Sequence, residues 1–188
     1  MATILIDVDG VTLCLDAEWY KRYNADYDDN LKPEHVTEWA VHKFVKPSCG
    51  YKIYEYLLQT DLYDTVPLIA GAVDGIMQLR KTGHRVVFLS SGIHRGKYLR
   101  LKEFNLVETE GDYICAHDKS LICGDYLLDD GAHNVKAFLY GTAILFDAPH
   151  NKHEKWFPRV SNWEQAVDLI LDLEERKQFS HRKTYVVE

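Results

Sequence analysis

The chain has 188 residues, of which 46% are hydrophobic and 27% charged, with a formal net charge of −7. This length predicts one domain with room for an insertion, and the composition excludes collagen-like, low-complexity and disordered chains. The negative charge argues against nucleic acid or an anionic membrane as a partner. No apolar run approaches the roughly 20 residues of a membrane span, and acids at positions 7 and 9 interrupt what a signal peptide would continue, so a cytoplasmic protein is expected.

The first element is short and ends abruptly. Residues 3–7, TILID, form an apolar run that predicts a buried strand, and Asp7 is followed closely by Asp9 and Gly10. Ser90, the end of the next strand-like run, lies 83 residues beyond Asp7, whereas a strand-helix-strand crossover takes about 30. The surplus predicts a small helical cap over 13–66, inserted after the first strand, with 1–12 and 67–188 forming the core. Its many aromatics include Trp19, Tyr20, Tyr23, Trp39, Phe44 and Tyr54.

Beyond the insertion, AVDGIMQLRKTG places Val73, Ile76, Met77 and Arg80 at helical spacing, and Gly83 stops that helix. The runs RVVFLSS (85–91), YICAH (113–117), YLLDD (126–130) and AILFDAP (143–149) lack polar alternation, as strands buried on both faces do. Between them RGKYLRLKEFN and AHNVKAFLYG read as helices. The long final helix, SNWEQAVDLILDLEERK, has Ser161 or Asn162 as its cap and a stripe from Trp163 to Leu173. Strands alternating with helices predict an α/β fold with a central parallel sheet flanked by helices. Cys14, Cys49, Cys115 and Cys123 form no C-x-x-C pair, which argues against zinc or a disulfide framework, and His150 and His153 read as a solvated loop.

In an open parallel sheet, ligands gather beyond the carboxyl ends of the strands. That edge is expected to collect Asp7 and Asp9, Ser90 and Ser91, Lys119, and the pair Asp129 and Asp130. Crowded carboxylates need a cation, and an all-oxygen set favours Mg²⁺. With Lys119 and a serine hydroxyl holding phosphoryl oxygens, Asp7 is free to attack phosphorus, and Asp9 can protonate the leaving alkoxide and later deprotonate water.

The motifs DVDGV, FLSS, DKS and LLDD stand in the order of the haloacid dehalogenase (HAD) superfamily, which the chain resembles. The resemblance implies a Rossmann-like core, Asp7 as nucleophile and metal ligand, and Asp9 as acid/base that also gives its backbone carbonyl to the metal. It implies Ser90, Ser91 and Lys119 as phosphate ligands, Asp130 as the remaining metal ligand, and Asp129 as its support. A receiver-like signalling domain gathers similar groups but in another order.

Over almost the whole chain, GAVDGIMQLRKTGHRVVFLSS, DKSLICGDYLLDD, LFDAPHNKH and RVSNWEQAV look like the 5'(3')-deoxyribonucleotidases. That family implies a nucleoside monophosphate substrate, a homodimer, and a cap wall to which Leu15, Trp39 and Phe44 are assigned. Two departures stand out. Gly131 replaces a basic residue after the acidic pair, for which Lys46, or His94 and Arg95, could compensate, and an aromatic segment is reduced to DLYDTV. The alternative is a HAD phosphatase acting on a sugar phosphate or another small phosphomonoester.

Overall fold

A computed structural model describes residues 1–92, 94–156 and 158–184. The strands are β1 (Thr3–Ile6), β2 (Arg85–Ser90), β3 (Tyr113–Cys115), β4 (Tyr126–Asp129), β5 (Thr142–Phe146) and β6 (Arg159–Val160). They pair in parallel throughout, in the order β3-β2-β1-β4-β5-β6. The helices are α1 (Leu15–Tyr27), α2 (Ala72–Lys81), α3 (His94–Glu103), α4 (Ala132–Ala137) and α5 (Trp163–Thr184).

The strand sequences show no polar alternation because both faces of the sheet are covered. Side chains alternate along a strand, so Ile4 and Ile6 fall on one face with Phe88, Tyr126, Leu128 and Ile144, under Ile76 and Leu79 of α2 and Trp163 and Ile170 of α5. Leu5 falls on the other face with Val87, Leu89, Leu127 and Leu145, under Val135 of α4 and Phe138. The fold class expected from the sequence is therefore the observed one. β6, two residues long, is too short for a sequence pattern to announce.

Helices α2 and α5 meet at Gly75, where an added Cβ would stand 2.6 Å from a ring carbon of Trp163. The indole of Trp163 donates to the carbonyl of Val11 at 2.8 Å. A helix at the end of the chain thus pins the loop that leaves β1.

Between β1 and α2 the chain is helical, but mostly not α-helical. After α1 come 3-10 segments at Pro33–His35, Val41–Lys43, Gly50–Leu58 and Leu62–Asp64. Asp28 ends α1 in the left-handed region at φ 47°, and Lys32, before Pro33, is extended at φ −128° and ψ 156°. The aromatics supply much of the packing. Trp19 lies against Tyr20 and Tyr54 and donates to the Ile53 carbonyl at 2.8 Å, joining α1 to the longest 3-10 segment. The four cysteines are free. Among the described residues no helix is long and apolar enough to cross a membrane.

Candidate active site

From β1 the chain moves to β2 and β3 on one side, and then returns to β4, β5 and β6 on the other. The order reverses at the β1–β4 junction, so the loops leaving these strands diverge and open a crevice. Asp7 follows β1 there, Asp129 ends β4, and Asp130 follows it. The Asp7 amide donates to the Leu128 carbonyl at 2.9 Å, continuing the ladder one step past the strand. Thr12 Oγ1 donates to the Asp7 carbonyl at 2.8 Å and turns the loop back on itself.

That turn requires Gly10. Its φ is 77°, and a Cβ there would stand 2.0 Å from Asp130 Oδ2. Gly10→Ala is expected to displace the Asp130 carboxylate and lower kcat/KM by about 10²-fold, the scale of an ångström misplacement. Wild-type kinetics in that variant would show that Asp130 need not sit where it does.

Lys119, buried, bridges two of the acids, with Nζ 2.8 Å from Asp7 Oδ1 and 2.7 Å from Asp129 Oδ2. Burial works against its charge, but Asp7 and Asp129 outweigh it and raise its pKa. Burial first, then the Asp129 charge, pushes Asp7 up to about 6 against the pull of Lys119. Asp129 also accepts from the Gly131 amide at 2.8 Å and from Asn134 Nδ2 at 3.0 Å. With both oxygens engaged by protein donors, it orients Lys119 and the turn into α4.

Asp9 faces a second buried lysine. Lys97, from the first turn of α3, has Nζ 2.5 Å from Asp9 Oδ2, 3.0 Å from Ser90 Oγ and 2.6 Å from the Ser91 carbonyl. The Tyr63 hydroxyl lies 3.1 Å from each Asp9 oxygen. Burial raises the Asp9 pKa, Lys97 opposes the rise, and Asp7 adds to it.

Asp130 differs from its neighbours. Its main-chain carbonyl accepts from Asn151 Nδ2 at 2.8 Å, with His150 Nε2 at 3.2 Å. His150 Nε2 also lies 3.5 Å from Asp130 Oδ2, but no lysine or arginine among the described residues pairs with its carboxylate. Burial, then Asp7 and Asp129, raise its pKa well above the usual carboxylate range. Ligand oxygens of Asp7, Asp129 and Asp130 lie within 4.8 Å of one another. Buried, crowded oxygen donors with an uncompensated charge fit a hard divalent cation.

A cavity of about 300 Å³ opens above these groups. Asp7, Asp9, Asp130, Ser90, Ser91 and Lys119 line it, as do Leu15 and Trp39 from the segment between β1 and α2. Trp39 meets the rings of His133 and His150 edge-on, with centroids 4.7 and 5.1 Å away, and so ties the segment between β1 and α2 to the start of α4 and to the turn after β5.

Phe44 and Lys46 are corrections to the sequence reading, because neither lines this cavity. Phe44 packs against the main core, and Lys46 Nζ donates to the carbonyls of Tyr27 and Asp28 at 2.8 and 2.6 Å, at the end of α1. A lysine there satisfies helix C-terminal carbonyls. Arg95 is exposed and away from the cavity, and the His94 side chain lies outside the described residues.

Sequence reasoning missed Lys97, Tyr63, Asp16, His133, Asn134 and His150, all lining residues. Lys97 had one available signal. A helix that leaves a strand end turns its first turn toward the ligand edge, and Lys97 stands there.

A model of the family "5' nucleotidase, deoxy (Pyrimidine), cytosolic type C" matches residues 1–178. A 5'(3')-deoxyribonucleotidase of Clostridium acetobutylicum is 33% identical over 179 residues, covering 92% of this chain and 97% of that protein. One from Bacillus subtilis is 31% identical over 172 residues, covering 89% and 98%. Among solved structures, the fold is shared with a HAD-type hydrolase of B. subtilis bound to magnesium (TM-score 0.59, 14% identity, 89% and 97% covered). It is shared also with a haloacid dehalogenase-like hydrolase of Streptococcus pneumoniae (TM-score 0.62, 7% identity, 90% and 98% covered). A match running from the first strand into the last helix, with full-length relatives above 30% identity, means that this chain belongs to the cytosolic type C 5'-nucleotidase family of HAD-fold hydrolases.

Proposed function

We propose that the chain hydrolyses deoxyribonucleoside monophosphates to nucleoside and phosphate, with Mg²⁺ as cofactor and Asp7 as nucleophile. One observation carries the reading: a single cavity joins the acid-lysine cluster at the β1–β4 junction to an aromatic wall made by the insertion. The names of the relatives point the same way.

Asp7 Oδ1 is held by Lys119 Nζ at 2.8 Å and by the Val8 amide at 2.6 Å. Its Oδ2 has no donor among the described residues, and this is the oxygen proposed to attack phosphorus. The new bond is Oδ2–P, and the P–O bond to the nucleoside breaks. Asp9 gives its proton to the departing alkoxide, then takes one from the water that cleaves the aspartyl-phosphate. Its raised pKa suits a carboxyl that must hold a proton before transfer. Lys97 and Ser90 face the phosphoryl oxygens and stabilise the charge spread over them. Asp7, Asp130 and the Asp9 carbonyl would hold Mg²⁺, which when bound neutralises phosphoryl charge.

Phosphate release from a panel of nucleoside monophosphates, hexose phosphates and aryl phosphates tests the reading. Deoxyribonucleotides should have the highest kcat/KM, and preference for hexose phosphates would refute it. Stacking of a base on an aromatic contributes about 1–3 kcal/mol. Trp39→Ala is therefore expected to lower the nucleotide kcat/KM about tenfold to a hundredfold, and more than that of p-nitrophenyl phosphate. Equal loss on both would make Trp39 a wall support only. The family resemblance also supports a homodimer, read by sedimentation, and a cytosolic location, which the description of the matched family names.

A further inference from the structure

The cavity has two electrically different halves. In the inner half every lysine is engaged, Lys97 with Asp9 and Lys119 with Asp7 and Asp129. The outer half, where a leaving group must lie, is walled by Leu15, Trp19, Tyr20, Val36, Val41 and Tyr54. Two acids stand among these apolar and aromatic groups. Glu38 is balanced by Lys43 at 2.5 Å. Asp16 has no cation paired with it among the described residues, and its hydrogen-bond partner is the Tyr20 hydroxyl.

Asp16 sits in the first turn of α1, yet no side chain caps that helix, so end-capping does not account for it. Asp16 lines the shared cavity, near enough to Asp9 and Asp130 for their charges to act on one another. Burial, then the Asp9 charge, pushes its pKa up to about 6, so it remains mostly ionised at pH 7.

We infer that Asp16 is the charge filter of the leaving-group half: its carboxylate rejects phosphomonoesters whose leaving group bears a second negative charge and admits neutral ones. The inference deepens the nucleotidase reading and rests on it for the identity of the neutral leaving group. A nucleoside is uncharged and passes. A phosphorylated carboxylic acid or a bisphosphate meets a like charge with no lysine or arginine paired to it among the described residues. Two unit charges several ångströms apart, at an effective dielectric constant of about 20, discriminate by about tenfold to a hundredfold.

The test uses two aryl phosphates of nearly equal shape, p-nitrophenyl phosphate and 4-carboxyphenyl phosphate, which differ by one negative charge. Their intrinsic reactivities differ too, but identically for every variant, so the ratio of their kcat/KM values between variants isolates the charge effect. Asp16→Asn is expected to reduce the nitro-over-carboxyl ratio by about tenfold or more, while Asp16→Glu keeps it within about threefold of wild type. A merely structural role for Asp16 lowers both substrates together and leaves the ratio fixed. A ratio in Asp16→Asn within about twofold of wild type overturns the inference, as does an Asp16→Glu ratio equal to that of Asp16→Asn. Asp16→Ser supplies the same neutralisation if the amide variant does not fold. Wild-type turnover of thymidine 5'-monophosphate is read separately. A chain that ignores this nucleotide but shows the ratio shift keeps the filter and loses the nucleotidase reading.

Discussion

Asp7→Asn is expected to abolish turnover, with kcat falling by about 10⁴-fold or more, as removal of an attacking group does. The amide has nearly the shape of the carboxylate and can still accept from Lys119 and the Val8 amide, so the surroundings need not rearrange. What disappears is the oxygen proposed to bond phosphorus. Asp9→Asn should fail differently. Lys97 and Tyr63 still have an acceptor in the amide oxygen, but proton transfer is lost, a deficit of about 10²- to 10⁴-fold. That deficit should shrink for p-nitrophenyl phosphate, whose leaving group needs no proton. Deprotonation of the attacking water is still impaired, so Asp9→Asn should release one equivalent of nitrophenolate per enzyme in a burst and then stall as phosphoenzyme. Wild-type turnover by Asp7→Asn would exclude covalent catalysis at this residue, and a steady Asp9→Asn time course with no burst would remove Asp9 from the second half of the reaction.

The inner half of the cavity was legible in the sequence because its chemistry is tied to strand ends. TILID, RVVFLSS and YLLDD each announce a buried strand by their apolar runs, and the polar residues that end them must lie at one sheet edge whatever the strand order. The outer half was less legible. Trp39 and Phe44 are both aromatics of the segment between β1 and α2, yet of the two only Trp39 reaches the cavity. The difference depends on how successive 3-10 turns are oriented, and short 3-10 segments carry no extended periodicity. Lysine identity misled for a related reason. Lys46 and Lys97 are alike as letters, but one ends a helix at the surface and the other is buried against Asp9. The reduced segment DLYDTV still contributes Tyr63 to the site, a single residue whose role no pattern could announce.

Divalent metal removal should have an effect as large as loss of the nucleophile, and it can be read without turnover. In the metal-free protein Asp7 and Asp130 carry pKa values raised by burial, above those of an unfolded chain. Such groups bind more protons folded than unfolded, so their contribution to stability is fullest below about pH 4 and is lost as pH rises through about 6. A bound cation replaces those protons, so Mg²⁺ should stabilise most where the metal-free protein has lost that contribution, above about pH 6. At a hundredfold excess over its dissociation constant the gain is about 2.7 kcal/mol, or roughly 5–10 °C in Tm for a chain of this size. Asp130→Asn separates the two contributions with opposite signs. It should raise the Tm of the metal-free protein, because an uncompensated buried carboxylate is replaced by a neutral group, and it should cancel most of the rise produced by Mg²⁺. Excess EDTA should silence the wild-type enzyme, and added Mg²⁺ should restore it. Full activity in chelator, together with a Tm that ignores Mg²⁺ at pH 7.5, would remove the metal from the mechanism and leave Lys97 as the cation proposed to face the phosphate.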